Sequence, residues 1–229
     1  LTDHKPKALV EINGLPMLEI VIRKFLTAGI RDIIINTHHL GDMIADFLKA
    51  HNNFGVHIEI SRELEILGTG GGLKQAAYFF ENSEPFLVHN VDIISDIDLM
   101  DMVDFHHQQN NIATLAVMKR ETSRYFLVSE ENLICGHVNK KNETVRIAKK
   151  SQHPFEELAF SGIHVISPQL LPELTEHGFF SIIDVYLRLI AAGHRIGVYR
   201  IDNCYWRDLG KPEHIKAVEI DIQQGLIKI

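Results

Sequence analysis

Three short segments far apart in the chain carry charged or glycine-rich sequence that could do chemistry together. Lys7 follows Pro6 near the start, glycines dominate 68–72, and Asp208 lies near the end. A fourth segment places Asp92 just after an apolar run, where an open α/β sheet normally presents its ligand groups. Two carboxylates, one cation and accessible backbone amides suit a metal-bound nucleotide.

Each of these features also has a plainer interpretation. Lys7 could be a surface lysine at the start of a strand. The glycine run lacks the Gly-Lys-Ser/Thr ending of a phosphate-binding loop and could be a ligand-free turn, although its amides could equally face an anion or a base. Asp92 and Asp208 could be turn or helix-capping residues. Together, two carboxylates at separate strand ends match Mg²⁺, which leaves most of its coordination positions to phosphates and water.

Composition narrows the class of protein. The chain has 229 residues with 45% apolar content, enough for one large domain. Its net charge is -7 and no dense Lys/Arg run occurs, so we expect no nucleic-acid partner and no membrane surface. Only Cys135 and Cys204 are present, and no apolar run reaches the roughly 18 residues of a membrane span. We therefore expect a cytoplasmic protein.

The order of hydrophobic patterns predicts the elements that must position these residues. Up to about residue 110, strand and helix patterns alternate, which predicts parallel strands joined by right-handed crossovers. Beyond that point, short strand-like runs predict mixed or antiparallel sheet. We expect one domain over 1–229, with a nucleotide half at about 1–110 and a sugar-phosphate half at about 111–229. In the first half, the predicted strands are 8–10, 32–37, 56–60 and 85–90, and the predicted helices lie at 16–29, 41–50, 72–80 and 99–109.

Histidine is abundant, but its arrangement does not predict a metal cluster. The chain contains 14 histidines, with adjacent pairs at 38–39 and 106–107. Adjacent residues point to different faces of a helix or strand, so neither pair forms a bidentate site. A Gly-x-Ser-x-Gly hydrolase elbow is also missing from the sequence.

Taken in order, the segments resemble the sugar-1-phosphate nucleotidylyltransferases, a family that includes mannose-1-phosphate guanylyltransferases and N-acetylmuramate-1-phosphate uridylyltransferases. The resemblance covers nearly the whole chain, and its stretches are Leu1 and Thr2 through 6–7, then 14–18, 67–72, 90–92, 160–163 and 206–213. It implies a Rossmann-like α/β fold of the nucleotide-diphospho-sugar transferase type, with a mixed, mostly parallel sheet flanked by helices.

The resemblance also implies a role for each site residue. A nucleoside triphosphate, UTP or GTP, would react with a sugar 1-phosphate to give a nucleotide-sugar and pyrophosphate. Lys7 would be the catalytic cation, and Asp92 and Asp208 would hold Mg²⁺. The implied nucleotide-binding residues are Gly68, Thr69, Gly70, Gly71 and Asn90, and the implied sugar-binding residues are Asn139, Glu157 and Gly162. The resemblance leaves open whether this chain forms a homo-oligomer.

Two departures from the family pattern keep alternatives open. The family's glycine-rich phosphate loop, which ends in an arginine, lies directly before the stretch that starts here at Leu1, so we expect a first strand and this loop to precede Leu1. The second departure lies in Asn90-Val91-Asp92, where many members have glycine before the aspartate. The alternatives are the same chemistry on a non-sugar acceptor, such as a phosphocholine or cyclitol phosphate, or an inactive regulatory subunit that binds nucleotide-sugars.

Overall fold

The computed structural model describes residues 5–81 and 83–229, so the matching stretch at Leu1 and Thr2 lies outside the described residues. The chain forms two compact units. The first is built from Leu1–Ile66, Asn90–Asp98 and Cys204–Ile229, and the second from Leu67–His89 and Leu99–Asn203. The chain enters each compact unit more than once, so these units do not coincide with the functional halves expected on either side of residue 110. Those functional halves stay a prediction.

The strands and helices are numbered in chain order. The strands are β1 (Glu11–Ile12), β2 (Leu15–Pro16), β3 (Asp32–Thr37), β4 (His57–Arg62), β5 (Phe86–His89), β6 (Ile93–Ser95), β7 (Ala113–Met118), β8 (Arg124–Val128), β9 (Ile134–Asn139), β10 (Thr144–Ile147), β11 (Glu156–Ile166), β12 (Ile196–Arg200) and β13 (Trp206–Asp208). The α-helices are α1 (Met17–Thr27), α2 (Gly41–Ala50), α3 (Gly68–Gln75), α4 (Leu99–Gln109), α5 (Ile182–Ala191) and α6 (Pro212–Gln223). Short 3₁₀ helices lie at Lys7–Leu9, Asn52–Gly55, Ala77–Phe80 and Pro168–Glu173.

In the described part of the first unit, the strands form three pairs. β3 and β4 are parallel, β6 and β13 are antiparallel, and β1 and β2 form a hairpin. Asn13 and Gly14 both have positive φ in the hairpin turn, a conformation that this dipeptide favours. A buried cluster joins the two helices α1 and α2 to β3 through Ile22, Ile33 and Leu48. The apolar faces that predicted the two helices therefore pack against the same strand, β3.

The second unit is built on one mixed sheet. Its strand order is β10-β9-β8-β11-β7-β12, and β5 also pairs with β11. β5 and β7 are each antiparallel to β11, while β12 is parallel to β7, so β5, β7 and β12 share one direction. The mixed α/β fold is confirmed. The sheet has fewer parallel pairs than expected because the long strand β11 lies between β5 and β7.

Two predicted elements differ from the structure. The predicted strand 8–10 is a 3₁₀ turn, in which the Leu9 amide donates to the Pro6 carbonyl at 2.9 Å. The predicted helix 72–80 begins four residues earlier, at Gly68, and ends at Gln75. In the second case the Gly70 amide donates to the Phe180 carbonyl at 3.0 Å, so a tertiary contact holds glycines in a helix that they disfavour by themselves.

The described residues contain no helix that is long and apolar enough to cross a membrane.

The core of the second unit includes several buried polar groups. The Tyr186 hydroxyl donates to His164 Nδ1 at 2.5 Å, and burial lowers the pKa of His164 to about 3. His106 lies between the hydroxyls of Thr114 and Ser167, at 2.9 and 2.8 Å, and burial lowers its pKa to about 4. Both imidazoles are therefore neutral near pH 7.

These neutral imidazoles should make the fold sensitive to mild acid. Their pKa values in the folded protein lie below the ordinary value of 6.5, so the unfolded chain binds more protons as the pH falls through that value. We expect each to lower the free energy of unfolding by about 2 kcal/mol between pH 7 and pH 5. Urea denaturation at both pH values measures the loss.

Replacement of one imidazole gives the matched comparison. His106→Gln retains a polar group but does not titrate, so its loss of stability between the two pH values should be smaller than that of the wild type. His39 is exposed, and His39→Gln should retain the wild-type dependence. Identical pH dependence in His106→Gln and the wild type would contradict this account.

Candidate active site

The Lys7 ammonium forms an ion pair with the Asp92 carboxylate in the first unit. The two side chains are 38% and 21% exposed, so both are partly shielded yet accessible to a ligand. Lys7 is held in place by its neighbours, because Pro6, Ala8 and Leu9 are buried on either side of it. The 3₁₀ turn therefore presents one lysine from an otherwise buried segment.

A turn and a strand pair position Asp92. The Ile93 amide donates to the Asn90 carbonyl at 3.2 Å, which closes the turn that contains Asp92. The Leu209 amide then donates to the Asp92 carbonyl at 2.8 Å, and Ile93 lies opposite Asp208 in the β6–β13 pair. Residues directly opposite in an antiparallel pair are close neighbours. The backbone therefore brings the two aspartates together, although they are far apart in sequence.

Gly210 shows how close these groups are. Its amide donates to Asp208 Oδ1 at 2.6 Å. A Cβ atom on Gly210 would lie 2.8 Å from Asp208 Oδ1 and 3.8 Å from Lys7 Nζ. The carboxylate and the ammonium thus border the same small space, which a side chain at this position would fill. Lys7, Asp92 and Asp208, three residues predicted from separate segments, form one cluster.

The chemistry of this cluster fits a divalent cation that is shared with phosphates. Asp92 and Asp208 supply carboxylate oxygens, which are the ligands that Mg²⁺ prefers. No group of three or more His, Cys, Asp or Glu suited to a metal occurs among residues 5–81 and 83–229. Two carboxylates are consistent with Mg²⁺, because it commonly takes one or two from the protein and the remaining ligands from substrate and water. Mg²⁺ binding here stays a prediction.

Lys24 secures one strand of this cluster, and sequence reasoning missed it. Its ammonium donates to the carbonyls of Ser95 and Ile97, at 2.7 and 2.9 Å, at the end of β6. Burial lowers the pKa of Lys24. A lysine among the apolar residues of α1 gives no local signal that it will cap a strand.

Asp221 secures the other strand. It accepts a hydrogen bond from the Tyr205 hydroxyl at 2.6 Å and forms an ion pair with Arg207 at 3.0 Å. Burial and the neighbouring carboxylate raise the pKa of Tyr205 to about 12. One signal was present in the sequence, because Asp221 lies three residues after the buried Val218 and so falls on the inner face of α6.

The glycine segment belongs to the second unit, where its glycines serve packing. A Cβ atom on Gly70 would lie 2.4 Å from the Phe180 ring, and one on Gly71 would lie 2.9 Å from the Gly178 carbonyl oxygen. The Thr69 hydroxyl accepts from the Ile182 amide at 3.1 Å. The expected open turn is therefore the first turn of α3, packed against a neighbouring segment. Nucleotide binding by Gly68, Thr69, Gly70 and Gly71 stays a prediction.

The residues predicted to bind the sugar lie on two strands of the second unit, Asn139 at the end of β9 and Glu157 and Gly162 on β11, and their sugar binding stays a prediction. Glu157 forms an ion pair with Lys140 at 2.5 Å, whereas the Asn139 side chain accepts from the Lys141 amide at 3.1 Å. Gly162 has φ +78° and lies where β11 shifts register against β7, five residues beyond Glu157. Lys140 directly follows Asn139, so its ion pair with Glu157 links the end of β9 to β11.

The fold agrees with known structures. HddC from Yersinia pseudotuberculosis superimposes with a TM-score of 0.76 at 20% identity, over 97% of this chain and 92% of that one. UDP-glucose pyrophosphorylase, solved in complex with UDP-glucose, gives a TM-score of 0.75 at 19% identity, over 96% of this chain and 91% of that one. These similarities show an α/β fold of the nucleotide-diphospho-sugar transferase type.

Sequence comparison then gives the family. The nucleotidyl transferase family model matches residues 1–225, and this chain belongs to that family. Mannose-1-phosphate guanyltransferase beta-A of Xenopus laevis is 29% identical over 217 residues, which cover 93% of this chain and 58% of the relative. Mannose-1-phosphate guanylyltransferase of Mycobacterium tuberculosis is 26% identical over 227 residues, which cover 99% and 61%. The chain thus spans about three fifths of the length of these curated relatives.

The packing of α3 gives a prediction that separates structure from ligand binding. Replacement of a helical glycine by alanine normally stabilises a helix by about 1 kcal/mol. In Gly71→Ala the new methyl group would lie 2.8 Å from Leu67 Cβ and 2.9 Å from the Gly178 oxygen, so we expect destabilisation by about 1–3 kcal/mol instead. Thermal unfolding measures the effect. Gln108→Ala, at an exposed position of α4, should be near wild type. A Gly71→Ala protein as stable as this control would disprove the packing role.

Proposed function

We propose that this chain transfers a nucleotidyl group from a nucleoside triphosphate to a sugar 1-phosphate, with release of pyrophosphate. The observation that carries the proposal is the cluster in which the Lys7 ammonium pairs with Asp92 while Asp208 borders the same space. Family membership and the names of the curated relatives support the same reaction class.

The reaction needs no nucleophile from the protein. A phosphate oxygen of the sugar 1-phosphate attacks the α-phosphorus of the triphosphate and forms a new P–O bond. The bond between the α-phosphorus and the bridging oxygen breaks, and its electron pair leaves with pyrophosphate. Lys7 can donate hydrogen bonds to the phosphate oxygens, because its ammonium is partly exposed. Bound Mg²⁺, held by Asp92 and Asp208, would supply further positive charge. Correct positioning of the two substrates accounts for much of the remaining acceleration.

The relatives favour particular substrates. The curated proteins are named for mannose 1-phosphate and a guanylyl group, which favours GTP. UDP-glucose pyrophosphorylase has a similar fold and is named for a uridine nucleotide, so UTP is the second candidate for the nucleotide substrate. Asn90, Asn139, Glu157 and Gly162 stay predicted contacts of these substrates, and a cytoplasmic location and a homo-oligomer also stay predictions.

One similar structure favours a second candidate function. The inositol-1-phosphate CTP transferase from T. maritima has a TM-score of 0.74 at 16% identity, over 100% of this chain and 91% of that one. Its name describes a non-sugar acceptor, so the same chemistry on a cyclitol phosphate is the alternative. An inactive regulatory subunit is the third outcome.

Pyrophosphate release decides among these functions. The protein is incubated with Mg²⁺, each of the four common ribonucleoside triphosphates, and mannose 1-phosphate, glucose 1-phosphate, N-acetylmuramate 1-phosphate or inositol 1-phosphate. Turnover with a sugar phosphate supports the proposal. Turnover with inositol 1-phosphate alone would select the alternative, and nucleotide binding without turnover on any acceptor would indicate a regulatory subunit.

Neutralising either aspartate should remove activity and leave the fold. We expect Asp92→Asn and Asp208→Asn to lower Mg²⁺-dependent turnover by about a hundredfold or more, since a neutral amide oxygen lacks the charge that a hard cation requires. Asp46→Asn, at an exposed position of α2, is the matched control and should be fully active. If Asp92→Asn and Asp208→Asn both retain near-normal activity, the two-aspartate site is wrong.

Removing the charge of Lys7 should lower kcat more than it changes KM. Lys7→Met retains most of the side chain's length, and loss of a group that stabilises developing charge lowers kcat by about a hundredfold. Lys49→Met, on an exposed face of α2, should match the wild type. A change confined to KM would identify Lys7 as a contact that binds substrate and transition state equally.

A further inference from the structure

The ion pair between Lys7 and Asp92 occupies one of the two carboxylates of the predicted Mg²⁺ site. Asp208 supplies the other carboxylate, which accepts a hydrogen bond from the Gly210 amide. A Cβ atom on Gly210 would lie 2.8 Å from Asp208 Oδ1 and 3.8 Å from Lys7 Nζ. The ammonium therefore lies close to both carboxylates, in the region that suits a divalent cation.

The charge of Lys7 opposes a second cation at this place. Like charges a few ångström apart repel each other strongly wherever water screens them poorly, and a divalent ion doubles the repulsion. The Asp92 side chain is only 21% exposed, so water screens its surroundings incompletely. Binding of a divalent cation between the two carboxylates is thus favoured only when the ammonium moves away from Asp92.

Asp92 does not need Lys7 to keep its place. The Leu209 amide donates to the Asp92 carbonyl at 2.8 Å, and the Ile93 amide closes the turn that contains it. A partly exposed ion pair, in contrast, contributes little to stability. Departure of the ammonium therefore frees the Asp92 carboxylate without displacing the backbone that carries it.

Lys7 can leave Asp92 without a change in its own backbone. The Val10 amide donates to the Lys7 carbonyl at 3.0 Å, which fixes the chain at this point. Beyond the backbone, the side chain is a flexible four-carbon stem and is 38% exposed. The ammonium can therefore turn from a carboxylate to a phosphate oxygen that a ligand supplies.

We propose that Lys7 closes the two carboxylates to free divalent cations, and that a triphosphate opens them by giving the ammonium other anions to pair with. This inference rests on the proposed nucleotidyl transfer and adds a switch to its metal site. Lys7 has two successive partners, which are Asp92 in the free protein and phosphate oxygens in the nucleotide complex. The free protein consequently binds a divalent cation weakly.

Electron paramagnetic resonance of Mn²⁺, an ion that takes the same oxygen ligands as Mg²⁺, tests the closed state of the full chain without nucleotide. We expect Lys7→Met to bind Mn²⁺ about tenfold or more tightly than the wild type, because the cluster then carries two negative charges instead of one. Lys7→Arg retains the charge and should bind as weakly as the wild type.

Two further variants identify the origin of this gain in Mn²⁺ affinity. Lys5→Met is the matched control, since Lys5 pairs with Glu11 at 2.7 Å, and it should bind Mn²⁺ as the wild type does. Adding Asp208→Asn to Lys7→Met should remove the gain, whereas Mn²⁺ bound to histidines elsewhere on the surface would be unaffected.

Nucleotide binding should change in the opposite direction. Calorimetric titration with GTP in the presence of EDTA should show about tenfold or more weaker binding to Lys7→Met than to the wild type, because a charged partner of the phosphates is lost. Damage to the fold would lower both affinities, and a simple phosphate contact would lower only that for GTP.

The proposal is overturned if Lys7→Met gains no Mn²⁺ affinity, if the gain persists with Asp208→Asn, or if Lys7→Met binds GTP as well as the wild type does. The Mn²⁺ measurement needs no turnover, and pyrophosphate release is measured separately. A gain in Mn²⁺ affinity without pyrophosphate release would therefore count against the proposed reaction and would support the closed state.

Discussion

The antiparallel pairing of β6 and β13 is the constraint on which the acidic cluster depends. It places Ile93 opposite Asp208 and brings the Asp92 backbone within a hydrogen bond of Leu209. Each strand has only three residues, and an isolated two-stranded ribbon is marginally stable. Contacts outside the ribbon must therefore hold it, and Lys24 and Asp221 provide them on either side.

The residues of this cluster could be predicted from the sequence, but their supports could not. Asp92 and Asp208 follow apolar or aromatic stretches, and Lys7 follows a proline, so residue type and local position were sufficient to select them. The register between β6 and β13 joins segments far apart in the chain, and no local pattern fixes such a pairing. The hydrogen bonds of Lys24 depend on where the end of β6 lies in three dimensions, so they too lack a local signal.

At the glycine segment, the local sequence predicts the wrong structure. Local propensity favours a turn, because glycine is unfavourable in a helix by about 1 kcal/mol relative to alanine. The structure has a helix, because the absence of Cβ atoms at Gly70 and Gly71 lets the backbone approach Phe180 and Gly178 closely. Tertiary packing overrides propensity here. The periodic helices α2 and α4, in contrast, span the residues expected for them, since their apolar faces agree with the packing.

The charges of the cluster explain why both a lysine and a metal ion suit this site. Asp92 and Asp208 carry two negative charges when ionised, and Lys7 supplies one positive charge. One negative charge is left uncompensated, so a triphosphate arriving alone would meet net repulsion from the carboxylates. A divalent cation reverses the sign of the local charge, whereas a second lysine would only neutralise it. If the cluster binds a nucleotide as proposed, this charge balance favours a nucleotide that arrives with its metal ion over a free anion, whichever acceptor is used.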